Sequence, residues 1–227
     1  MARRHILKMA VTCTLVLVSV GLFNIIRLKL SNTFTADWLH VFWSRPNKST
    51  PSLSAGSCVS DKRCPEHHLS FYMQSGAADV VAPKICVQNK LVLGSVLKNA
   101  GPGINVVVLI GKTGAVVQSD HFNMYSDEDK PLIDFLKNIQ QGSIVLMASY
   151  DDPSTKLTDE AKKLIGQLGS SVVQSLGFRD NWLFVGGKGD VVSSNFEKLL
   201  RNDKEKNKYQ NWPELIQLEG CIPKSLE

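Results

Sequence analysis

Four cysteines outside the N-terminal segment constrain the fold of this chain more than any other feature. The chain has five cysteines, and Cys13 lies within an apolar N-terminal run, which leaves Cys58, Cys64, Cys86 and Cys221. Four cysteines in a secreted domain predict two disulfides, and they allow three pairings. Cys221 lies six residues before the last residue, so one disulfide would connect the end of the chain to the front of the domain.

Zinc binding is the alternative use of these cysteines. Cys58, Cys64, His67 and His68 lie within eleven residues of the sequence. However, adjacent histidines point apart in most backbone conformations, and this cysteine spacing is not a usual pair of zinc ligands. An oxidising compartment also favours disulfides over free thiols. We therefore expect no metal site.

The first 30 residues predict that the chain enters the secretory pathway. A short basic stretch precedes an apolar run of 18 residues (9–26), and Arg27 and Lys29 follow it. The pattern fits a cleaved signal peptide, but the run is also long enough for an uncleaved type II anchor. More positive charge precedes the run than follows it, so an anchored chain would hold its C-terminal part in the lumen. Both interpretations of residues 1–30 place the folded part in the lumen or outside the cell, and we expect secretion.

Residues 31–57 predict a stalk. They are rich in serine, threonine and proline, a composition that cannot bury enough apolar surface to form a core. Asn47 begins the only N-glycosylation sequon of the chain, and such a segment tolerates a glycan. The rest of the chain, residues 58–227, is long enough for one domain with a substantial core.

The charge distribution argues against nucleic-acid binding. The net charge is +5, from 26 basic and 21 acidic side chains. Residues 1–30 contain five of the basic side chains and no acidic one, so the two signs balance over the rest of the chain. A nucleic-acid-binding domain needs a basic face in its folded part. We therefore expect no nucleic-acid partner.

The spacing of apolar residues predicts two clear helices and several strands. Residues 131–140 and 159–168 have apolar side chains at helical spacing, and Pro131 and Thr158 are their N-terminal signals. Residues 194–200 predict a third, weaker helix. The element order predicts an α/β or α+β sandwich with a mixed sheet. Apolar or β-branched runs predict strands over residues 104–110, 115–117, 120–124, 143–149, 182–185 and 215–218.

The usual catalytic motifs are missing from the sequence. It contains no nucleophile elbow, zinc-protease motif or P-loop. Residues 58–227 contain three histidines, and no free luminal thiol is expected to serve as a nucleophile. Residues 186–189 (GGKG) could hold a phosphate, but no helix N-terminus follows them directly. We therefore expect a protein without enzymatic activity and without a cofactor.

Two short motifs are candidates for ligand binding. Asp151 and Asp152 directly follow a predicted buried strand, where functional loops often lie, although two such acids can also simply begin a turn. Residues 179–182 (RDNW) combine a guanidinium, a carboxylate, an amide and an indole. Planar hydrogen-bonding groups beside an aromatic ring suit a sugar. The alternative is an internal Arg–Asp pair beside a core tryptophan.

Several motifs together resemble a known family. Between Cys58 and Cys221 they follow the order and spacing of the family with sequence similarity 3, which comprises secreted, cytokine-like proteins such as pancreatic-derived factor and the interleukin-like EMT inducer. The sequence is most similar to the latter. The motifs are Ser75-Gly76-Ala77-Ala78, Lys84-Ile85-Cys86, Gly103-Ile104-Asn105-Val106, Tyr150-Asp151-Asp152, Leu176-Gly177-Phe178-Arg179-Asp180-Asn181-Trp182, Gly186-Gly187-Lys188-Gly189, Asn207-Lys208-Tyr209, Trp212-Pro213-Glu214 and Glu219-Gly220-Cys221-Ile222-Pro223.

The resemblance implies a compact α+β domain over residues 58–227. Two mainly antiparallel sheets lined by short helices would form a β-β-α arrangement. The disulfides implied are Cys58–Cys86 and Cys64–Cys221. The function implied is that of a secreted, cytokine-like signalling protein that acts on a cell-surface receptor.

This domain type, called the GG-type lectin, also occurs in the stem of the protein O-mannose N-acetylglucosaminyltransferase, where it binds glycan. Counted from the shared Leu-Gly-x-Arg-Asp-x-Trp segment, the glycan-contacting acid and arginine of that stem fall on Asp151 and Arg179. The resemblance thus implies glycan binding through Asp151 and Arg179, with Trp182 beside them. The alternative function is a Golgi- or membrane-anchored lectin-like module.

One departure from the family concerns dimerisation. The interleukin-like EMT inducer has a further cysteine in the strand before the Gly-Gly-Lys-Gly turn, and the corresponding residue here is Val185. Because no unpaired luminal cysteine is left, we expect no disulfide-linked dimer.

Overall fold

The structure is a computed structural model that describes Cys58, residues 63–189 and residues 196–224. The predicted signal or anchor segment, the stalk and Asn47 lie outside the described residues. The described residues form nine strands and two α-helices. The strands are β1 (His68–Gln74), β2 (Lys84–Val87), β3 (Lys90–Leu93), β4 (Gly103–Ile110), β5 (Val116–Phe122), β6 (Ser143–Tyr150), β7 (Asn181–Gly187), β8 (Phe196–Leu200) and β9 (Gln217–Pro223), and the helices are α1 (Lys130–Asn138) and α2 (Asp159–Gln167).

The strands form two sheets in which every pair is antiparallel. We call β3-β2-β1-β9 the outer sheet and β5-β4-β6-β7-β8 the central sheet. The prediction of a mixed sheet, made from the element order, is therefore wrong. The antiparallel β-β-α fold implied by the family resemblance is confirmed.

The three inner strands of the central sheet, β4, β6 and β7, are buried on both faces, which explains their long apolar runs. Ile104 and Val106 of β4 pack against the helices, whereas Val107 and Leu109 pack against the outer sheet. The same alternation holds along β6 and β7, because successive side chains of a strand point to opposite faces. The domain thus has three layers: the outer sheet, the central sheet and the helix layer.

Both clear helices form where the sequence predicts them. Pro131 lies in the first turn of α1, whose chain becomes extended at Ile139, slightly before the predicted end. Thr158 is the N-cap of α2, and its side chain accepts a hydrogen bond from the Ala161 amide. The Asp129 carboxylate just before α1 accepts hydrogen bonds from the Thr158 amide and hydroxyl, so the starts of the two helices are joined. Neither nine-residue helix of the described part could span a bilayer.

The predicted third helix is wrong, because residues 196–200 form β8. This strand pairs with β7, and Phe196 packs edge-on against Phe71 of the outer sheet with ring centroids 5.1 Å apart. The Glu197 carboxylate accepts hydrogen bonds from the Trp182 indole and from the hydroxyl of Ser170. These partners are remote in sequence, and their contacts override the helical spacing of the segment.

Two disulfides tie the outer sheet to the N-terminal end of the domain. They join Cys58 to Cys86 on β2 and Cys64 to Cys221 on β9. These are the pairings implied by the family resemblance. Val185, at the position of the family's additional cysteine, is fully buried between the two sheets.

Candidate functional site

The candidate site lies at the end of the central sheet where strand β6 ends and strand β7 begins. These strands are antiparallel neighbours, so their connected ends lie side by side. The Trp182 amide donates a 2.8 Å hydrogen bond to the Ser149 hydroxyl and holds the two ends together. This arrangement brings the sequence around Asp151 next to the sequence around Arg179.

Asp151 faces outward at this end of the sheet. Its backbone has a φ of 59°, in the left-handed region that few residues other than glycine, asparagine and aspartate adopt. Its Oδ1 atom accepts a 2.9 Å hydrogen bond from the Trp212 indole nitrogen. About a fifth of the side chain is exposed. The carboxylate is therefore oriented by the chain and still reachable from solvent.

Asp152 turns inward and organises the loops. It is fully buried, and its carboxylate accepts hydrogen bonds from the amide and hydroxyl of Ser154 and from the Thr155 amide. It also accepts a 3.2 Å hydrogen bond from the Arg179 amide. The two adjacent acids thus differ in position: the Asp152 carboxylate joins the two loops, and the Asp151 carboxylate reaches the surface.

The Arg179 guanidinium lies between two aromatic side chains. Its central carbon is 3.9 Å from the centre of the Trp212 ring and 4.7 Å from that of Phe178. Such stacking orients the cation without using its hydrogen-bond donors. Arg179 has a φ of 58°, which is unusual for a long side chain.

The Arg179 side chain has unused hydrogen-bonding capacity. Its Nε atom is 3.7 Å from Asp151 Oδ1, too far for a hydrogen bond, and it is buried without a partner in the described part of the chain. A buried donor left in this state costs free energy, which the Asp151 carboxylate offsets only through its charge. Arg179 and Asp151 together offer donors and acceptors beside aromatic surface.

Trp212 is held in place by Asn181. The Asn181 side-chain amide donates hydrogen bonds to the carbonyl oxygens of Pro213 and Glu214, the second at 2.8 Å. The segment that carries Trp212 is thereby anchored to the start of β7. Asn181 is itself buried, so this amide supports the site from below and does not face the ligand.

The structure does not keep all of the predicted site residues together. Trp182 is fully buried, stacks on Phe184 with centroids 5.7 Å apart and donates its indole hydrogen to Glu197. A glycan at the surface could not reach it, so the expected role of Trp182 as a glycan contact is wrong. Trp212 provides the indole instead. Trp182 is therefore a core residue, as the alternative interpretation of the RDNW motif states.

Asp180 has a structural role as well. Its buried carboxylate accepts a hydrogen bond from the Gly177 amide and forms a 2.8 Å ion pair with Arg201. Of the RDNW motif, only Arg179 is partly exposed, and the other three residues are buried. Sequence reasoning missed Trp212 and Phe178 as site residues, although both belong to the motifs that carry the family resemblance. Their contact with Arg179 depends on loop packing that residue spacing does not reveal.

Tyr150 directly precedes Asp151 at the end of β6. Its hydroxyl donates a 2.8 Å hydrogen bond to the Asp79 carbonyl. Burial raises the pKa of the Tyr150 phenol, and the negative charges of Asp79 and Asp151 raise it further. The phenol therefore remains a neutral donor over the physiological pH range.

Comparisons with known proteins identify the family. The family model for the interleukin-like EMT inducer matches residues 102–190. Protein FAM3C of Rattus norvegicus and its Homo sapiens counterpart are both 52% identical over 166 residues, which cover 73% of this chain and 73% of each relative. Protein FAM3A of Mus musculus is 41% identical over 186 residues, or 81% of both chains. The chain belongs to the FAM3 family. The family-model match includes Asp151 and Arg179 of this FAM3 chain, whereas Trp212 follows it.

The Gly-Gly-Lys-Gly turn of this FAM3 chain supports the helix layer. The Lys188 ammonium donates hydrogen bonds of 3.1 Å to the carbonyl oxygens of Leu136 and Lys137, at the end of α1. Gly186 lets the end of α2 approach, because a Cβ atom there would lie 2.2 Å from the Leu168 carbonyl oxygen. These contacts explain the motif without a phosphate.

Replacing Lys188 by methionine should lower the free energy of unfolding by about 1 to 2 kcal/mol, because carbonyls near the end of α1 lose a cationic partner. The change is measured by urea unfolding. Lys163→Met on the exposed face of α2 is the matched control and should have little effect. Equal unfolding midpoints for the two variants would contradict the capping role.

Among the described residues, no group of three or more histidine, cysteine, aspartate or glutamate side chains could hold a metal ion. Cys58 and Cys64, which the zinc alternative would have used, are both in disulfides.

Proposed function

We propose that this FAM3 protein is a secreted, non-enzymatic, cytokine-like signalling protein that recognises a glycan on a cell-surface receptor. Membership of the FAM3 family supports the cytokine-like part, and the two disulfides are in keeping with an extracellular protein. The glycan would bind at Asp151 and Arg179. The observation that carries this proposal is the Arg179 guanidinium, stacked on two rings and partly exposed beside the Asp151 carboxylate.

The chemistry of the site suits neighbouring sugar hydroxyls. A hydroxyl group both donates and accepts, so one hydroxyl can accept from Arg179 while its neighbour donates to Asp151. The two charges compensate each other at short range, which favours a neutral sugar over an anionic one. The apolar C–H face of the sugar would then lie against aromatic surface, as is usual for sites that combine apolar walls with a few fixed polar groups.

Backbone strain supports a functional role for the same two residues. Asp151 and Arg179 both have positive φ values. Such conformations cost of order 1 kcal/mol each and cluster at ligand-binding sites, where the surrounding structure holds them. Asp152 provides that hold through its hydrogen bond to the Arg179 amide.

Arg179→Ala should weaken glycan binding about 10- to 100-fold, the expected loss for charged hydrogen bonds in a partly desolvated site. Binding is measured on a glycan array and then by calorimetry with the glycan that binds best. Lys204→Ala removes an exposed positive charge elsewhere and is the matched control. Unchanged binding by a folded Arg179→Ala protein, or no selective binding by the wild type, would refute the glycan site.

The second candidate function is a membrane-anchored, Golgi-resident lectin-like module. It is favoured by the 18-residue apolar run, which is long enough to serve as an anchor. Intact mass and N-terminal sequencing of protein from the medium of expressing cells separate the two. A product that begins after the apolar run supports secretion, whereas full-length protein retained in membranes supports the anchored module.

A further inference from the structure

We infer that the ligand site continues along Phe178 and Tyr125, and that the ligand is a neutral oligosaccharide whose second sugar stacks on these two rings. We call this pair the aromatic subsite. The inference rests on the proposed glycan binding at Asp151 and Arg179 and adds the size and chemical class of the ligand.

The aromatic subsite contains the two most exposed aromatic side chains of the described residues. Tyr125 is 52% exposed and Phe178 is 46% exposed, while the other aromatic side chains in that part of the chain are buried or half-buried. The two rings come from loops that are distant in sequence, yet their centroids are 6.5 Å apart with a tilt of 37°. Two exposed rings that meet in this way form apolar surface suited to a ligand.

The subsite is continuous with the Asp151–Arg179 site. The Arg179 guanidinium lies 4.7 Å from the centre of the Phe178 ring, and Tyr125 in turn contacts Phe178. Trp212, Arg179, Phe178 and Tyr125 therefore form a row of successive neighbours. These contacts place the exposed apolar surface of Phe178 and Tyr125 next to the Asp151–Arg179 pair.

The loop that carries Tyr125 is ordered by its own hydrogen bonds. The Tyr125 amide donates to the Asn123 side chain at 3.0 Å, and the Asn123 side-chain amide donates to the Ser126 hydroxyl at 2.9 Å. The Lys156 amide donates to the Met124 carbonyl at 2.7 Å and ties this loop to the loop that follows Asp152. A preordered ring loses little entropy on binding, so it is an efficient contact surface.

Charge around the subsite indicates a neutral sugar. Asp127 and Glu128 are exposed and follow Tyr125 in the same loop. The exposed Lys130 of the same segment and the Arg179 guanidinium beside Phe178 offset these charges, so no excess of one sign favours a charged sugar. The stacked sugar should therefore be an uncharged hexose or N-acetylhexosamine.

The test compares monosaccharides with the matching di- and trisaccharides on one array. Each common hexose, N-acetylhexosamine and sialic acid is presented alone and within the longer glycans. Tyr125→Ala should weaken binding of a neutral di- or trisaccharide about tenfold and leave monosaccharide binding unchanged, because it removes stacking surface without touching Arg179. Phe178→Ala should have at least the same effect. Val117→Ala, at another exposed apolar side chain, is the control and should change neither the monosaccharide affinity nor the affinity for longer glycans.

The outcomes separate this inference from the proposed function. The aromatic subsite is refuted if the wild type binds di- and trisaccharides no better than monosaccharides, or if Tyr125→Ala leaves the affinity for the longer glycans unchanged. An Arg179-dependent site would still stand. If the longer glycans that bind best carry sialic acid or sulfate on the second sugar, the neutral class is refuted. If the folded wild type binds no glycan, both proposals fail. If a peptide competes with the glycan at Tyr125, the subsite belongs to a protein partner and the inference is refuted.

Discussion

Replacing Cys64 and Cys221 together by serine is expected to lower the free energy of unfolding by about 5 kcal/mol, the chain-entropy value for a loop of this length. The disulfide closes a sequence separation of 157 residues. Domains of ordinary stability unfold at a cost of about 5 to 15 kcal/mol, so the loss would be a large part of the total. This is the largest effect that we expect from removing a single interaction.

The position of the disulfide explains why it matters. β9 is an edge strand of the outer sheet and pairs with β1, so the last strand of the described chain depends on the first. Cys221 lies opposite Ser70 in that pairing, and Cys64 precedes β1 by a few residues. With the bridge formed, β9 remains close to β1 in the unfolded chain. Without it, this pairing must bring together segments about 150 residues apart and bear the full entropic cost of closing that loop.

Urea unfolding of the purified protein measures the effect, and the second disulfide provides the matched comparison. Cys58–Cys86 spans only 28 residues, so Cys58→Ser with Cys86→Ser should cost about 3.5 kcal/mol by the same reasoning. The order of the two losses is the critical result. Equal losses, or a larger loss for the shorter loop, would show that loop closure does not determine the stabilisation.

Local signals explain which elements the sequence predicts well. α1 and α2 each have an N-terminal signal within the segment, Pro131 or Thr158, and an apolar face at helical spacing. β4, β6 and β7 are recognisable because both of their faces are buried, which requires continuous apolar runs. These features depend on residues close together in the chain. Nothing comparable marks β8, whose strand conformation depends on β7, Phe71 and Ser170.

In the candidate site, too, the sequence predicts the residues that short motifs mark and misses those that are brought in from distant parts of the chain. Asp151 and Arg179 are recognisable from short motifs and from the family resemblance. Trp212 is 61 residues from Asp151, and only the pairing of the strands and the Asn181 hydrogen bonds bring them together. Trp182 is buried because the helix layer covers its face of β7 and the outer sheet covers the other face, and no short motif specifies that cover. The sequence therefore identifies the charged pair of the site and misses its aromatic walls.

The adjacent acids Asp151 and Asp152 give the second large prediction. Asp152→Ala should lower the free energy of unfolding by about 3 kcal/mol, because four hydrogen bonds lose their acceptor in a fully buried position. One of the four donors is the Arg179 amide, so the loop that presents the guanidinium should also loosen. Urea unfolding measures the stability, and glycan affinity measures the effect on the site.

Isosteric variants make this prediction specific. In Asp152→Asn one carboxylate oxygen becomes an amide nitrogen, which cannot accept from the Thr155 amide, so stability should fall although the shape is unchanged. In Asp151→Asn the remaining oxygen can still accept from Trp212, and asparagine tolerates the positive φ, so stability should change little while glycan binding weakens. The same substitution at neighbouring positions should thus affect folding at one and binding at the other. If Asp151→Asn destabilised the domain as much as Asp152→Asn, the outward carboxylate would be part of the scaffold, and its assignment to the ligand would be refuted.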